Sequence, residues 1–347
     1  VNPNRSGDRF PSKNLAGVGV MFYLLAAVRA CLRGAGWFRR GRPDPNLAEL
    51  LDLVALGTIA DVVSLDQNNR ILVEQGLRRI RAGRCRPGLA ALLEGAGRDP
   101  GQVTARDLAI AVGPRLNAAG RLTEMSLGVE CLLTDDPVGA AVMARELDSL
   151  NRRRREIEGE MRQQAEEALA AMQLDEAGLP PALCLFEPGW HQGVTGILAA
   201  RVRERYHRPV IAFAEAEDGL LRGSARSIEE LHMRDLIDAV DKRNPDLIQR
   251  FGGHAMAAGL TLSVSALERF NQAFVAEVRR QIGDTPPAFE ILSDGELPHH
   301  ALDLETARVL RDGGPWGKGF PEPLFDGRFQ VLERRIVGDE HLKLRLQ

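Results

Sequence analysis

Apolar side chains at Val18, Met21, Phe22, Leu25 and Val28 recur at intervals of three and four, which predicts an amphipathic helix over 15–32. After a Pro/Gly/Arg-rich loop comes "NLAELLDLVALGTIADVVSL" (46–65), apolar almost without interruption until Asp61, so its first part is read as buried. Shorter helical patterns occupy 71–80, 89–93 and 106–112. The next segment, "GPRLNAAGRL" (113–122), is expected to be a loop from its glycine and proline content. The longest helical pattern covers 139–172, with Leu147, Leu150, Ile157, Met161 and Ala165 on its apolar stripe and the charged Arg154 among them. Such a helix is a rod of roughly 50 Å. Ending in "DEAGLPP" (175–181), it reads as a connector between domains.

Beyond Pro181 the period shortens to that of strands alternating with helices. A strand is expected at 183–186, a turn and helix in "GWHQGVTGILAARVRERY", and a hairpin in "RPVIAFAEAEDGLLRGSARS" turning at Asp218-Gly219. Ser227 with Glu230 fits a capping box at the start of a helix. "RFGGHAMAAGL" (250–260) reads as a glycine-rich turn that faces a ligand, followed by a strand at 260–262 and a helix at 266–282. A third region begins near Pro286, with strands at 329–331 and 342–346. The last of these, in "HLKLRLQ", has no evident partner, and the chain opens on Val1 within a turn-rich segment, so both ends are expected to be cut. The fold class is α/β.

Composition narrows the classes. With 347 residues, 44% hydrophobic and 27% charged, the chain is long enough for two or three soluble domains. No unbroken apolar run reaches the ~18 residues of a membrane span, and no signal peptide is recognisable. The four cysteines are scattered without metal spacing and read as reduced thiols, which makes the cytoplasm the expected location. A net charge of −3 excludes a generic basic nucleic-acid coat. Only four of the 45 cationic residues are lysine. Arginine grips phosphate with two parallel hydrogen bonds, although codon bias explains the same skew more simply.

Several polar residues stand where chemistry is possible. Asp61, ending a buried apolar run, is either a cap or turn residue or a ligand to a hard divalent cation. Arg115, Asn117 and Arg121, separated by small residues, suit a phosphodiester backbone; the plainer reading is a solvated loop. Arg154 either snorkels or points at whatever the long helix packs against. His191 directly precedes a glycine-started helix, whose N-terminus favours anions. Ser224 and Arg226 lie two apart on a strand, hence on one face. His254 follows Gly252 and Gly253, which let a ligand approach the backbone. Three glycine-flanked groups of donors in one domain resemble a phosphate pocket.

These motifs, together with "ALGTIADVVSLDQNNR", "PGWHQGVTGILAARVRERYHRPVIAF" and "GPWGKGFPEPLFDG", resemble in order and spacing the bacterial single-strand-specific DNA exonucleases of the DHH phosphoesterase superfamily. The resemblance runs from end to end. It implies the C-terminal part of a DHH domain at 1–138, a connector helix and linker at 139–180, a DHHA1 domain at 181–285 that grips substrate, and the start of an OB-like barrel at 286–347. It further implies 5′-to-3′ removal of nucleotides from single-stranded DNA in repair and recombination, two Mn2+ or Mg2+ ions that activate a water, and work beside a helicase and a single-strand-binding protein. By position, Asp61 would be a metal ligand, and Arg115, Asn117 and Arg121 would line the strand's path. Ser224 and Arg226 would hold the terminal 5′-phosphate. His254, on Gly252 and Gly253, would be a catalytic donor, with His191 and Arg154 also touching substrate.

One departure stands out. The family's Asp-His-His signature is absent; "HH" occurs only at His299–His300, after a proline. With Asp61 as its only expected ligand, the chain by itself is expected to hold metal poorly and not to cut DNA. Two alternatives remain open: a DHH-type phosphodiesterase acting on oligoribonucleotides or cyclic dinucleotides, and a non-catalytic single-strand-binding module.

Overall fold

The structure, a computed structural model, describes residues 1–39, 41–171, 179–283, 290–338 and 341–347. The stretch of connector expected at 172–178 and the boundary expected between 285 and 286 lie outside the described residues. Two compact units emerge. One contains 1–114, 131–144 and 291–347; the other contains 115–130 and 145–290.

In the first unit, α1 (Gly17–Gly34), α2 (Leu51–Ala60), α3 (Gln67–Arg81) and α4 (Pro87–Gly95) follow the apolar pattern. Val54, Ala55, Val73, Leu77, Ile80, Leu89 and Leu92 are buried together. Asp52, 1% exposed, accepts hydrogen bonds from Arg86 N (3.0 Å) and Arg86 Nη1 (2.6 Å), which ties α2 to the start of α4. α1 departs from expectation in its environment. Only Gly19 is buried within it, while Met21, Leu24, Leu25 and Val28 are exposed. Its 18 residues are long and apolar enough to cross a membrane by length and composition alone, although Arg29 and Arg33 interrupt the apolar run. Core helices of soluble proteins meet the same two criteria.

The segment 113–122 is helix, not loop. After α5 (Ala105–Asp107), residues Leu108–Val112 widen into a π turn in which Gly113 N donates to Leu108 O, and α6 (Gly113–Leu122) continues from it. Pro114 lacks an N–H, and its ring would crowd the carbonyl four residues back. The wider turn relieves that crowding without ending the helix. Ala118 and Ala119 then become fully buried, so small side chains that looked like loop residues are packing residues. Next come α7 (Ser126–Leu133) and the expected long helix, α8 (Pro137–Ala171), in which Leu147, Met161 and Ala165 are buried.

The second unit is built on a five-stranded sheet in the order β1-β2-β3-β5-β4, formed by β1 (Leu183–Phe186), β2 (Val210–Glu215), β3 (Leu220–Arg226), β4 (Arg250–Gly253) and β5 (Ala257–Ser263). β1 and β2 are parallel, joined by the crossover helix α9 (Thr195–Tyr206); the other pairs are antiparallel. The β2–β3 hairpin turns at Asp218 and Gly219 with φ of 60° and 69°, the left-handed pair such a turn requires. Because side chains alternate across a strand, the sheet has two different faces. Ile211, Phe213, Leu221, Ala225, Leu260 and Leu262 join the core formed with α10 (Met233–Arg243) and α11 (Leu267–Ile282). The opposite face packs Leu183, Leu185, Val210 and Ala212 under α9 and the end of α8.

Two local expectations change here. Ser227 does not cap α10. It is fully buried, and its Oγ donates to Leu231 O at 2.7 Å, while the His232 side chain accepts from Asp235 N. Ile228 and Leu231 sink into the core and delay the helix past the capping-box pattern. The run 250–260 is a strand–turn–strand unit with Gly252 paired to Gly259, so most of the expected turn is ladder.

The chain then returns to the first unit through α12 (Leu304–Asp312). Leu65 N donates to Lys318 O at 2.7 Å, Trp316 stacks on Phe320, and the Arg70 guanidinium lies over the Phe320 ring. The final strand, expected to be unpaired, is β7 (His341–Leu346), and it pairs with β6 (Val331–Val337). β6 begins at Val331, the last residue of the predicted 329–331, and runs on to Val337.

Candidate nucleic-acid interface

α9 covers only part of its face of the sheet. Where it stops, the rows on β3, β5 and β4 open into a cleft of about 640 Å³, lined among others by Gln192, Gly193, Thr195, Ser224, Gly252 and Gly259. Register explains this floor. Ser224 pairs with Gly259 and Gly259 with Gly252, so one cross-strand row carries a hydroxyl and two glycines. No atom lies within 4 Å of where a Gly252 Cβ would stand. Gly253 differs: its φ is +155°, and a Cβ there would lie 2.5 Å from Ala257 O. Gly253 shapes the hairpin and Gly252 leaves the room.

Next to the cleft, where Ser224 meets the start of α9, further cationic side chains gather. Ser224 Oγ is 3.0 Å from Thr195 Oγ1. The Arg226 guanidinium lies against Gly196, where a Cβ would stand 2.8 Å from Nη2 and push the guanidinium aside. Burial pushes the Arg226 pKa down, and the charges of Arg121 and Arg203 push it further in the same direction. Arg121 Nη1 donates to Gly193 O at 3.2 Å. Arg203, absent from the sequence expectations, has a buried Nε without a hydrogen-bond partner among the described residues. Neither Arg226 nor Arg121 has a carboxylate ion-pair partner among the described residues. A buried guanidinium with other cations nearby, beside two hydroxyls and a helix N-terminus, makes a site for an anion.

The remaining expected residues divide. His191 is exposed, and its Nδ1 accepts from Gly193 N at 3.0 Å, which orients the ring at the same turn. His254 is exposed at the β4–β5 turn, with its N–H on Ala257 O. Asn117 and Arg121 lie four apart on α6 and share an exposed face. Arg115 is engaged instead in an ion pair with Asp148 at 2.7 Å. Burial raises the Asp148 pKa, but Arg152 and Arg115 outweigh it and hold the carboxyl below its ordinary value. Arg154, on the buried stripe of α8, bonds Asn151 and Glu158 within its own helix; desolvation, more than the neighbouring Arg155 and Arg121, lowers its pKa.

Asp61, in the first unit, is the C-cap of α2 and is exposed. An acid there opposes the helix dipole. Val62 follows with φ of 53°, a strained conformation for a β-branched residue. Among the described residues no group of three or more His, Cys, Asp or Glu side chains is placed to hold a metal ion.

Comparison with known proteins places these features in context. Residues 179–280 match the DHHA1 domain model and residues 293–347 the RecJ OB domain model. The whole chain is 56% identical to the single-stranded-DNA-specific exonuclease RecJ of Dickeya dadantii and 54% identical to that of Escherichia coli, spanning 60% of each. Crystal structures of Thermus thermophilus RecJ with Mg2+ and with Mn2+ each superpose on 97% of the chain with a TM-score of 0.79 at 34% identity, covering 50% and 47% of those chains.

Proposed function

The chain belongs to the RecJ family and spans about 60% of the curated relatives it matches, and from that premise we propose that it is the strand-binding part of a 5′-to-3′ exonuclease for single-stranded DNA. The observation that carries this reading is the Arg226 guanidinium against Gly196, beside the paired Ser224 and Thr195 hydroxyls at the N-terminus of α9, with Arg121 bonded to Gly193 at the same turn. In this reading Ser224 and Arg226 hold the terminal 5′-phosphate. Arg121 and Asn117 guide the following backbone, Gly252 clears its path, and His254 and His191 are donors at the rims. In the same reading Arg115, paired with Asp148, holds α6 to α8, and Arg154, paired with Glu158 within α8, stiffens that helix rather than contacting the strand.

Asp61 supplies one carboxylate, whereas Mg2+ or Mn2+ takes about six oxygen ligands. The described residues alone do not compose that site. We assign Asp61 as one contributed ligand and leave the divalent-metal hydrolysis to the whole protein, where bound ions would activate water and offset phosphate charge. Roles in DNA repair and recombination, cytoplasmic location, and work beside a helicase and a single-strand-binding protein belong to the same proposal.

The test is binding of 5′-phosphorylated and 5′-hydroxyl single strands to the 347-residue chain without metal. Arg226→Ala is expected to cost the phosphorylated strand about tenfold in affinity and the hydroxyl strand much less; equal losses would overturn the assignment. With manganese added, no nucleotide release is expected from this chain, and contaminant-free turnover would refute the division of labour. Hydrolysis of dinucleotides in preference to long strands would favour the oligoribonucleotide reading instead.

A further inference from the structure

Beyond the pocket for the terminal phosphate, the same cleft carries a second cationic row. Arg222 pairs with Thr261 on β5, and Thr261 pairs with Arg250 on β4, so the three stand side by side across the sheet. All three line the 640 Å³ cleft and also an adjoining one of about 580 Å³. Both arginines are exposed, and neither has a carboxylate ion-pair partner among the described residues. The one side-chain bond is from Arg222 Nη1 to Gln192 Oε1, at 3.2 Å. Glu217 and Asp218 border the far end of the adjoining cleft.

We propose that Arg222, Thr261 and Arg250 form a second phosphate subsite, which takes a backbone phosphodiester of the strand whose terminal phosphate lies at Ser224 and Arg226. The proposal rests on the reading above and adds to it a direction and a spacing. Arg222 and Ser224 are two residues apart on one strand, so their rows are about 7 Å apart. That step is comparable to the spacing of successive phosphates in an extended polynucleotide. The Ser224 row itself continues as the bare floor of Gly259 and Gly252, which leaves space for a sugar. Arginine on each side of a threonine hydroxyl suits a singly charged diester oxygen pair. The acidic rim at Glu217 and Asp218 repels a further phosphate and marks where the cationic floor ends.

The experiment compares thymidine 5′-monophosphate with a 5′-phosphorylated thymidine oligomer, binding to the 347-residue chain in EDTA across a salt series. Replacing Arg222 and Arg250 together by alanine is expected to lower the ratio of oligomer to mononucleotide affinity by about tenfold or more. The slope of log affinity against log salt should flatten by roughly 0.7 for each phosphate that is no longer neutralised. Arg222→Lys with Arg250→Lys should restore most of the slope, because a point charge still releases counterions. An unchanged ratio and slope in the alanine pair overturns the subsite. Arg226→Ala provides the separate control: it should weaken both ligands, and if it weakens neither, the parent reading fails rather than this one. Both arginines are exposed on the sheet surface; should the alanine pair lower the melting temperature, the glutamine pair applies the same criterion.

Discussion

At Gly252 a methyl group would meet nothing within 4 Å, whereas at Gly253 it would press on Ala257 O with φ at +155°. Adjacent glycines therefore answer to different demands. Gly252→Val should leave the melting temperature nearly unchanged, since valine suits a strand, yet weaken single-strand binding by filling the cleft. Gly253→Ala should destabilise by about 1–3 kcal/mol from backbone strain. Thermal melts and fluorescence anisotropy of a labelled strand check both. At this scale much could be read from the chain. Ser224 and Arg226 share a strand face by parity alone, and the same parity extends to Arg222, which stands one residue before the GSARS motif. Arg203 gave no such signal. It nears Arg226 only because α9 lies along β3, and that alignment is tertiary.

Within α11, Glu277 is 3% exposed and accepts from Arg280 and Gln281, with Arg243 of α10 nearby. The hydrogen bond from Arg280 and the surrounding positive charge hold its carboxyl below the ordinary value against the effect of burial. A carboxylate whose folded pKa is depressed contributes stability above its unfolded value of about 4.3 and loses it as pH falls through the folded one. Glu277→Gln should therefore cost about 1 kcal/mol at neutral pH and show a smaller loss of melting temperature between pH 5 and pH 3 than the parent chain. A loss as steep as the parent's would show that Glu277 is not the acid-sensitive link. The strands of the five-stranded sheet and the long α8 were legible because one side of each meets a core. α6 was not, since Pro114 and its glycines signal a break that the π turn absorbs. The helix after Ser227 begins late because Ile228 and Leu231 claim core space, a preference stronger than the capping pattern.

For the molecule as a whole, a net charge of −3 concealed a locally cationic cleft, because acids elsewhere cancel its arginines in the sum. The long-range tie between the α2–α3 loop and the segment 316–320 was also invisible in sequence: a backbone bond from Leu65 to Lys318, with Arg70 on Phe320 and Phe320 on Trp316. Phe320→Ala removes both ring contacts, which together are worth about 1–2 kcal/mol. Hydrogen exchange at the Leu65 amide should then speed up while the amides of β2 and β3 in the other unit keep their protection; uniform acceleration would mean that the tie is not local. That tie also sets an order of events during translation. The loop from Asp61 to Leu65 leaves the ribosome well before its anchor at Lys318 is made. A ribosome stalled anywhere between would leave behind a chain whose sheet can fold while the Leu65 amide is still waiting for its fastening.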